Sequence, residues 1–142
     1  MEEVLVYIFL SYQKIVTEDE YQNRLDELFL ENPQNEDLLY LEWETDIEKA
    51  IAYIRQRSDC KAIDTVLFGR CFMDKIAEFY RECSFDIKKF ASRMYGLWKI
   101  LPDFIQYQEP FYVLSYADDP LSWGDEEQSR SIYERMMNYY NA

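Results

Sequence analysis

Asp74, Glu78 and Glu82 stand at successive i, i+4 positions, so a helix through them presents three carboxylates along one edge. Carboxylates so placed could hold a divalent cation or divide into an acid and a base. Arg70 and Arg81 map to the same face at i, i+4 and i, i+3 spacing, which favours a solvated, salt-bridged edge over a metal site. No metal ligand and no cofactor is therefore assigned. The 142 residues contain no histidine. That removes the usual general base, any triad built on an imidazole, and the His ligands of zinc sites and of di-iron carboxylate bundles. Cys60, Cys71 and Cys83 are odd in number, and about 16 Å of helix separates the first two. They match no zinc spacing and read as small, reduced core residues. Neither a glycine-rich phosphate loop, a Gly-x-Ser-x-Gly turn nor a His-Glu-x-x-His helix is present. The chain is expected not to be an enzyme.

Charge is the stronger signal. Carboxylates outnumber cations 28 to 15, for a net charge of -13. Residues 1 to 50 hold 14 acidic side chains against 3 basic, residues 51 to 100 hold 6 against 10, and the remainder hold 8 against 2. Lys88, Lys89, Arg93 and Lys99, with Arg55, Arg57 and Lys61, make the middle basic. The overall field nevertheless repels phosphates, so nucleic acid and anionic membrane are not expected as partners. The densest acidic tract runs from Glu18 to Glu48. Within it Glu36, Asp37, Glu42, Glu44, Asp46 and Glu48, with Tyr40 and Trp43 as aromatic anchors, form the candidate partner-binding surface. Carboxylates speed the encounter with a cationic protein, while Tyr and Trp supply desolvated contact area.

A small, acidic, histidine-free helical chain resembles the bacterial immunity proteins, which neutralise basic toxin domains by covering their active clefts. The resemblance lies in composition and carries no motif. It implies an inhibitor with a basic protein partner such as a toxin domain. The short apolar run behind Glu2 and Glu3, with no basic residues before it and no small-residue cleavage site after it, reads as a cytoplasmic protein. Two alternatives stand beside it. One is a carboxylate-dependent metal protein using Asp74, Glu78 and Glu82. The other is a structural or regulatory subunit dimerising through Met136, Met137, Tyr139 and Tyr140.

The elements that must position these residues read as helical almost throughout. The expected fold is all-α, a single-domain bundle of about six helices over 1–142, with either a short strand pair or an irregular segment between 103 and 124. Apolar content of 49% is too high for a disordered acidic chain. The run Val4 to Leu10 is far shorter than the roughly 20 apolar residues of a bilayer span. It could suit a strand, but a lone strand has no evident partner, so a helix over 3–16 is assigned. Thr17 to Glu20 form a capping box, with Tyr21, Leu25, Leu28 and Phe29 on one face of the helix that follows. From Glu36 to Arg57 a continuous helix would turn Trp43 to the core with Tyr40, Ile47, Ala50, Ile51 and Ile54. A second capping box at Thr45 to Glu48 would restart it and turn Trp43 outward. Near Gly69 the apolar phase slips, which predicts a kink or a change of packing partner. Ser84 reads as an N-cap ahead of a stripe of Ile87, Phe90, Ala91, Met94, Leu97, Trp98 and Leu101. Phe111 to Tyr116 could be a strand or a buried helical turn, with the turn preferred. Asp125 caps a last helix bearing Ile132, Met136, Tyr139 and Tyr140.

Overall fold

The computed structural model describes residues 1–57, 63–83 and 85–141, and all regular structure among them is helical. The all-α expectation holds. The chain forms two compact units, residues 1–64 and 65–142. No described helix is long and apolar enough to cross a membrane.

Unit 1 contains α1 (Glu2–Tyr12), α2 (Glu18–Glu31), α3 (Glu36–Trp43) and α4 (Ile47–Gln56). The β-branched and aromatic run at the N-terminus is a helix because it can bury nearly its whole circumference: Val4, Leu5, Val6, Ile8, Phe9 and Leu10 are all buried. α1 packs against α2 and α4, and α2 packs against α3. The capping box at α2 forms as expected, with the Glu20 amide donating to the Thr17 hydroxyl and the Thr17 amide to the Glu20 carboxylate. Tyr21 and Leu25 are buried from this helix, whereas Leu28 and Phe29 are half-buried and Leu30 is exposed.

Unit 2 contains α5 (Thr65–Cys83), α6 (Ile87–Ile100), the single turn α7 (Asp103–Gln106) and α8 (Glu126–Met137), with 3-10 turns at Phe111–Ser115, Asp119–Trp123 and Tyr139–Asn141. The uncertain segment 103–124 is thus helical turns, in place of a strand pair. Its apolar run folds inward, and Phe111 sits 5.7 Å from Phe68 and 5.6 Å from Phe72, ring centre to ring centre. A second aromatic cluster joins Phe90 to Phe79, Tyr80 and Tyr133. The Ser129 hydroxyl donates to the buried Ala117 carbonyl at 2.8 Å and fixes α8 to the preceding loop.

α5 runs through Gly69 without interruption. The phase slip has a different cause: Phe68, Gly69, Phe72, Met73 and Ile76 form the buried face, while Val66 and Leu67 are about half exposed. Glycine admits the ring of Tyr140, which occupies the space that a Cβ at Gly69 would fill. Of the apolar stripe on α6, only Trp98 stays half-buried; the other members are buried. Asp86 caps this helix, accepting from the Lys89 amide at 3.1 Å. Ser84, the expected cap, lies outside the described residues, as do Cys60 and Lys61. Cys71 and Cys83 are half-buried. Asp125 caps α8 as expected. That helix buries Tyr133, Met136 and Met137, and Tyr139 is exposed. The two methionines of the suggested dimer seam therefore belong to the core.

Candidate functional site

The candidate surface is built by a break in the helix between residues 43 and 47. Asn35 opens α3, its side chain accepting from the Asp37 and Leu38 amides. The helix lasts eight residues and stops at Glu44, whose backbone is extended. Asp46, not Thr45, then restarts the chain as α4, accepting from the Glu48 amide at 2.9 Å. Glu44 reinforces the break by accepting from the Asp46 amide at 3.1 Å. Because helical phase does not pass through an extended segment, the apolar face of α4 no longer predicts the direction of Trp43. Ala50, Ile51 and Ile54 are buried as expected, but Trp43 is 80% exposed.

α3 consequently has two unlike sides. Leu38 and Leu41 are buried. Glu36, Leu39, Tyr40 and Trp43 lie within roughly 100° on the opposite side at 3.6 residues per turn. Leu39 is 42% exposed and Glu36 is exposed, while Tyr40 is half-buried. Tyr40 is fixed by a close stack on Tyr53 of α4, with ring centres 3.8 Å apart and planes 16° from parallel. Its hydroxyl donates to Glu44 at 3.3 Å. Partial desolvation, then Glu44, raises the Tyr40 phenol pKa.

The eight predicted residues divide in what they do. Asp37 accepts from the Tyr53 hydroxyl at 2.7 Å and meets the Arg57 guanidinium at 3.2 Å, and that guanidinium also lies over the Tyr53 ring. Burial first, and then the Asp37 carboxylate, push the Tyr53 phenol up to about 12. Glu42 faces α2, where the Gln22 side-chain amide donates to it at 3.1 Å and to Asp26 at 2.8 Å. Burial first, and then the neighbouring Asp26 carboxylate, push Glu42 up to about 7. Glu44 and Asp46 shape the break. Glu36, Trp43 and Glu48 remain turned to solvent. The sequence reading thus found Trp43 but passed over Leu39, whose i, i+4 spacing to Trp43 was the available signal.

The other sequence candidates give no comparable arrangement. Asp74, Glu78 and Glu82 are exposed on α5. Lys75 pairs with Glu78 at 3.6 Å, and Arg70 turns to the Tyr140 carbonyl and ring. Among the described residues no three Asp, Glu or Cys side chains gather as a metal would require. Cavities among the described residues lie elsewhere. One of about 410 Å³ in unit 1 is lined by Ser11, Tyr12 and Ile47 among others. One of about 310 Å³ in unit 2 is lined by Val113, Tyr116, Met136 and Tyr139 among others. The candidate surface is the side of a short helix, a shape suited to another protein's surface more than to a small molecule. No known protein family matches this chain, and neither a curated protein nor a solved structure matches it.

Proposed function

We propose that the protein is a non-enzymatic binding module whose first unit docks a cationic polypeptide, most specifically as an immunity-type inhibitor of a basic bacterial toxin domain. The observation that carries this reading is the outward face of α3. Trp43 is 80% exposed and Leu39, one turn earlier, 42% exposed, with Glu36 on the same side. Leaving a tryptophan in water forgoes about 2 kcal/mol or more of burial free energy, and tryptophan is the residue type most enriched among interface hot spots. The charge around it selects the partner's sign. Residues 1 to 50 carry 14 acidic and 3 basic side chains, so a cationic partner is attracted and an anionic one repelled.

Steering and anchoring are separable in this arrangement. Glu36 and Glu48 are exposed and available to set the encounter rate, whereas Trp43 and Leu39 would set the lifetime of the complex. The test takes the basic protein captured from the host, purifies it, and follows binding by stopped flow across ionic strength. The expected result is an on-rate that falls on the order of tenfold or more between low and high salt. Trp43→Ala should raise the off-rate by roughly 30-fold or more, a hot-spot effect. An on-rate indifferent to salt, or an off-rate indifferent to Trp43, rules the proposal out.

A further inference from the structure

Unit 2 has an exposed feature that the acidic face does not explain. Tyr95, Trp98, Tyr107, Tyr112 and Tyr116 form an unbroken ladder of rings, with successive centres 6.1, 6.0, 5.9 and 5.7 Å apart. Its four tyrosines are all at least 38% exposed, and Tyr107 reaches 68%. Trp98 is held in place by a reciprocal pair of hydrogen bonds. Its indole N–H donates to the Gln106 carbonyl at 3.0 Å, and the Gln106 side-chain amide donates to the Trp98 carbonyl at 2.8 Å. The strip is therefore anchored at its second ring before any partner arrives. Contiguous exposed aromatic area of this kind marks an interaction surface, whereas isolated surface tyrosines do not.

We propose that this ladder docks a proline-rich, cationic peptide segment in the polyproline II conformation. A threefold helix rising about 3.1 Å per residue turns two of every three residues to a surface, with advances between them of about 3.1 and 6.2 Å. Rings spaced 5.7 to 6.1 Å apart each meet a fresh side chain of such a ligand. The contour from Tyr95 to Tyr116 is at most roughly 24 Å, the span of about eight residues in this conformation. Proline segments are preformed, so docking on an aromatic-lined surface costs little ordering entropy. Charge gives the ligand its sign. Residues 103–119, which hold three of the five rings, include Asp103, Glu109, Asp118 and Asp119 and no Lys or Arg. An arginine of the peptide can pair with the exposed carboxylates Glu109 and Asp119 and stack on a tyrosine face. Single-stranded nucleic acid also stacks on rings, but it needs a basic groove along its backbone. Lys99 lies over Tyr95 at 5.1 Å at one end of the ladder, and Arg135 lines the cavity beside Tyr116 at the other; residues 103–119 between them supply no cation.

The proposal stands on unit 2 and does not depend on the α3 surface. The isotope-labelled full chain is titrated, by NMR, with a proline-rich peptide carrying two arginines. Parallel titrations use the same peptide with glycine and serine in place of proline, and oligouridylate. Saturable shifts at the Trp98 indole N–H and at residues 107–116, with the proline-rich peptide alone, are expected. Tyr107→Ala should weaken that binding at least about tenfold, and circular dichroism confirms that the variant folds. Binding of the glycine-serine peptide equally well reduces the ladder to a charge effect and overturns the proposal. So does binding of oligouridylate in its place, absence of binding at millimolar peptide, or an unaltered affinity in Tyr107→Ala.

Discussion

Residues 36–48 and residues 95–116 are each dense in one kind of side chain, carboxylates in the first and aromatic rings in the second, and the fold uses them in opposite ways. Of the six carboxylates, Asp37 is taken up by Tyr53 and Arg57, Glu42 by Gln22, Glu44 by the Asp46 amide, and Asp46 by the first turn of α4. Of the rings, Phe111 enters the core while Tyr107, Tyr112 and Tyr116 contact one another at the surface and Tyr95 joins them through Trp98. A local count of charge thus overstates the charge that a partner can meet. A local count of aromatics understates how much ring surface is left outside.

Truncation should separate the two kinds of ring most sharply. Phe111→Ala removes a 1%-exposed ring from the cluster with Phe68 and Phe72 and is expected to cost about 3–5 kcal/mol in urea denaturation. Tyr107→Ala should stay within about 0.5 kcal/mol of the parent. Similar losses from both would place Tyr107 in the core and remove the distinction. The carboxylates divide at a smaller scale. Asp46→Ala deletes a helix cap and should destabilise by about 1 kcal/mol. Neutralising Glu36 and Glu48 to glutamine should leave the unfolding midpoint nearly unchanged while slowing association with a cationic partner. If those two cost as much stability as Asp46, they too are structural, and the acidic face has no free charge to steer with.

What was legible in the sequence was what neighbours along the chain decide. The capping box at Thr17, the cap at Asp125, the buried face of α6 and the all-helical class depend on side chains three or four residues apart. Trp43 was ambiguous because two local signals competed. The apolar spacing argued for one helix through residue 47, while a cap argued for a restart. Asp46 decided it by bonding the Glu48 amide. Residues whose roles depend on another element were not legible. Tyr133 was left out of the expected apolar side of α8, yet it is fully buried against Phe90 across unit 2. Gly69 signalled something unusual, but Tyr140, 71 positions later, is what it accommodates.

Glu42 offers a test of the internal use of charge through pH. Its carboxyl is pushed up to about 7 by burial first and then by Asp26, against the pull of the Gln22 amide, and its charge adds to the burial that raises the Tyr21 phenol. A carboxyl with a raised folded pKa binds its proton more tightly in the native state. Its contribution is therefore present below the unfolded value near 4.5 and is lost as pH rises through about 7. The unfolding midpoint should fall between about pH 5 and pH 8, by an amount limited to the order of 1 kcal/mol because solvent reaches part of the group. Asp118 is raised by burial as well and acts in the same direction, so the difference between parent and Glu42→Gln isolates the Glu42 share. A parent and variant with identical pH profiles would show that Glu42 titrates like an exposed carboxylate.

The smallest effect is expected at Gly69, where two opposing terms nearly balance. An alanine in the interior of α5 gains about 1 kcal/mol of helix propensity over glycine. The added methyl would also displace the Tyr140 ring, which Arg70 holds through its contact with the ring and its bond to the Tyr140 carbonyl at 3.2 Å. Because that ring is only half-buried, it can swing away without disturbing α5. Gly69→Ala alone should therefore shift stability by less than about 1 kcal/mol. In a Tyr140→Ala background the steric term is gone, and the same substitution should stabilise by about 1 kcal/mol. A double-mutant cycle in urea reads the coupling directly; equal effects of Gly69→Ala in both backgrounds would mean that the ring does not dock on this glycine.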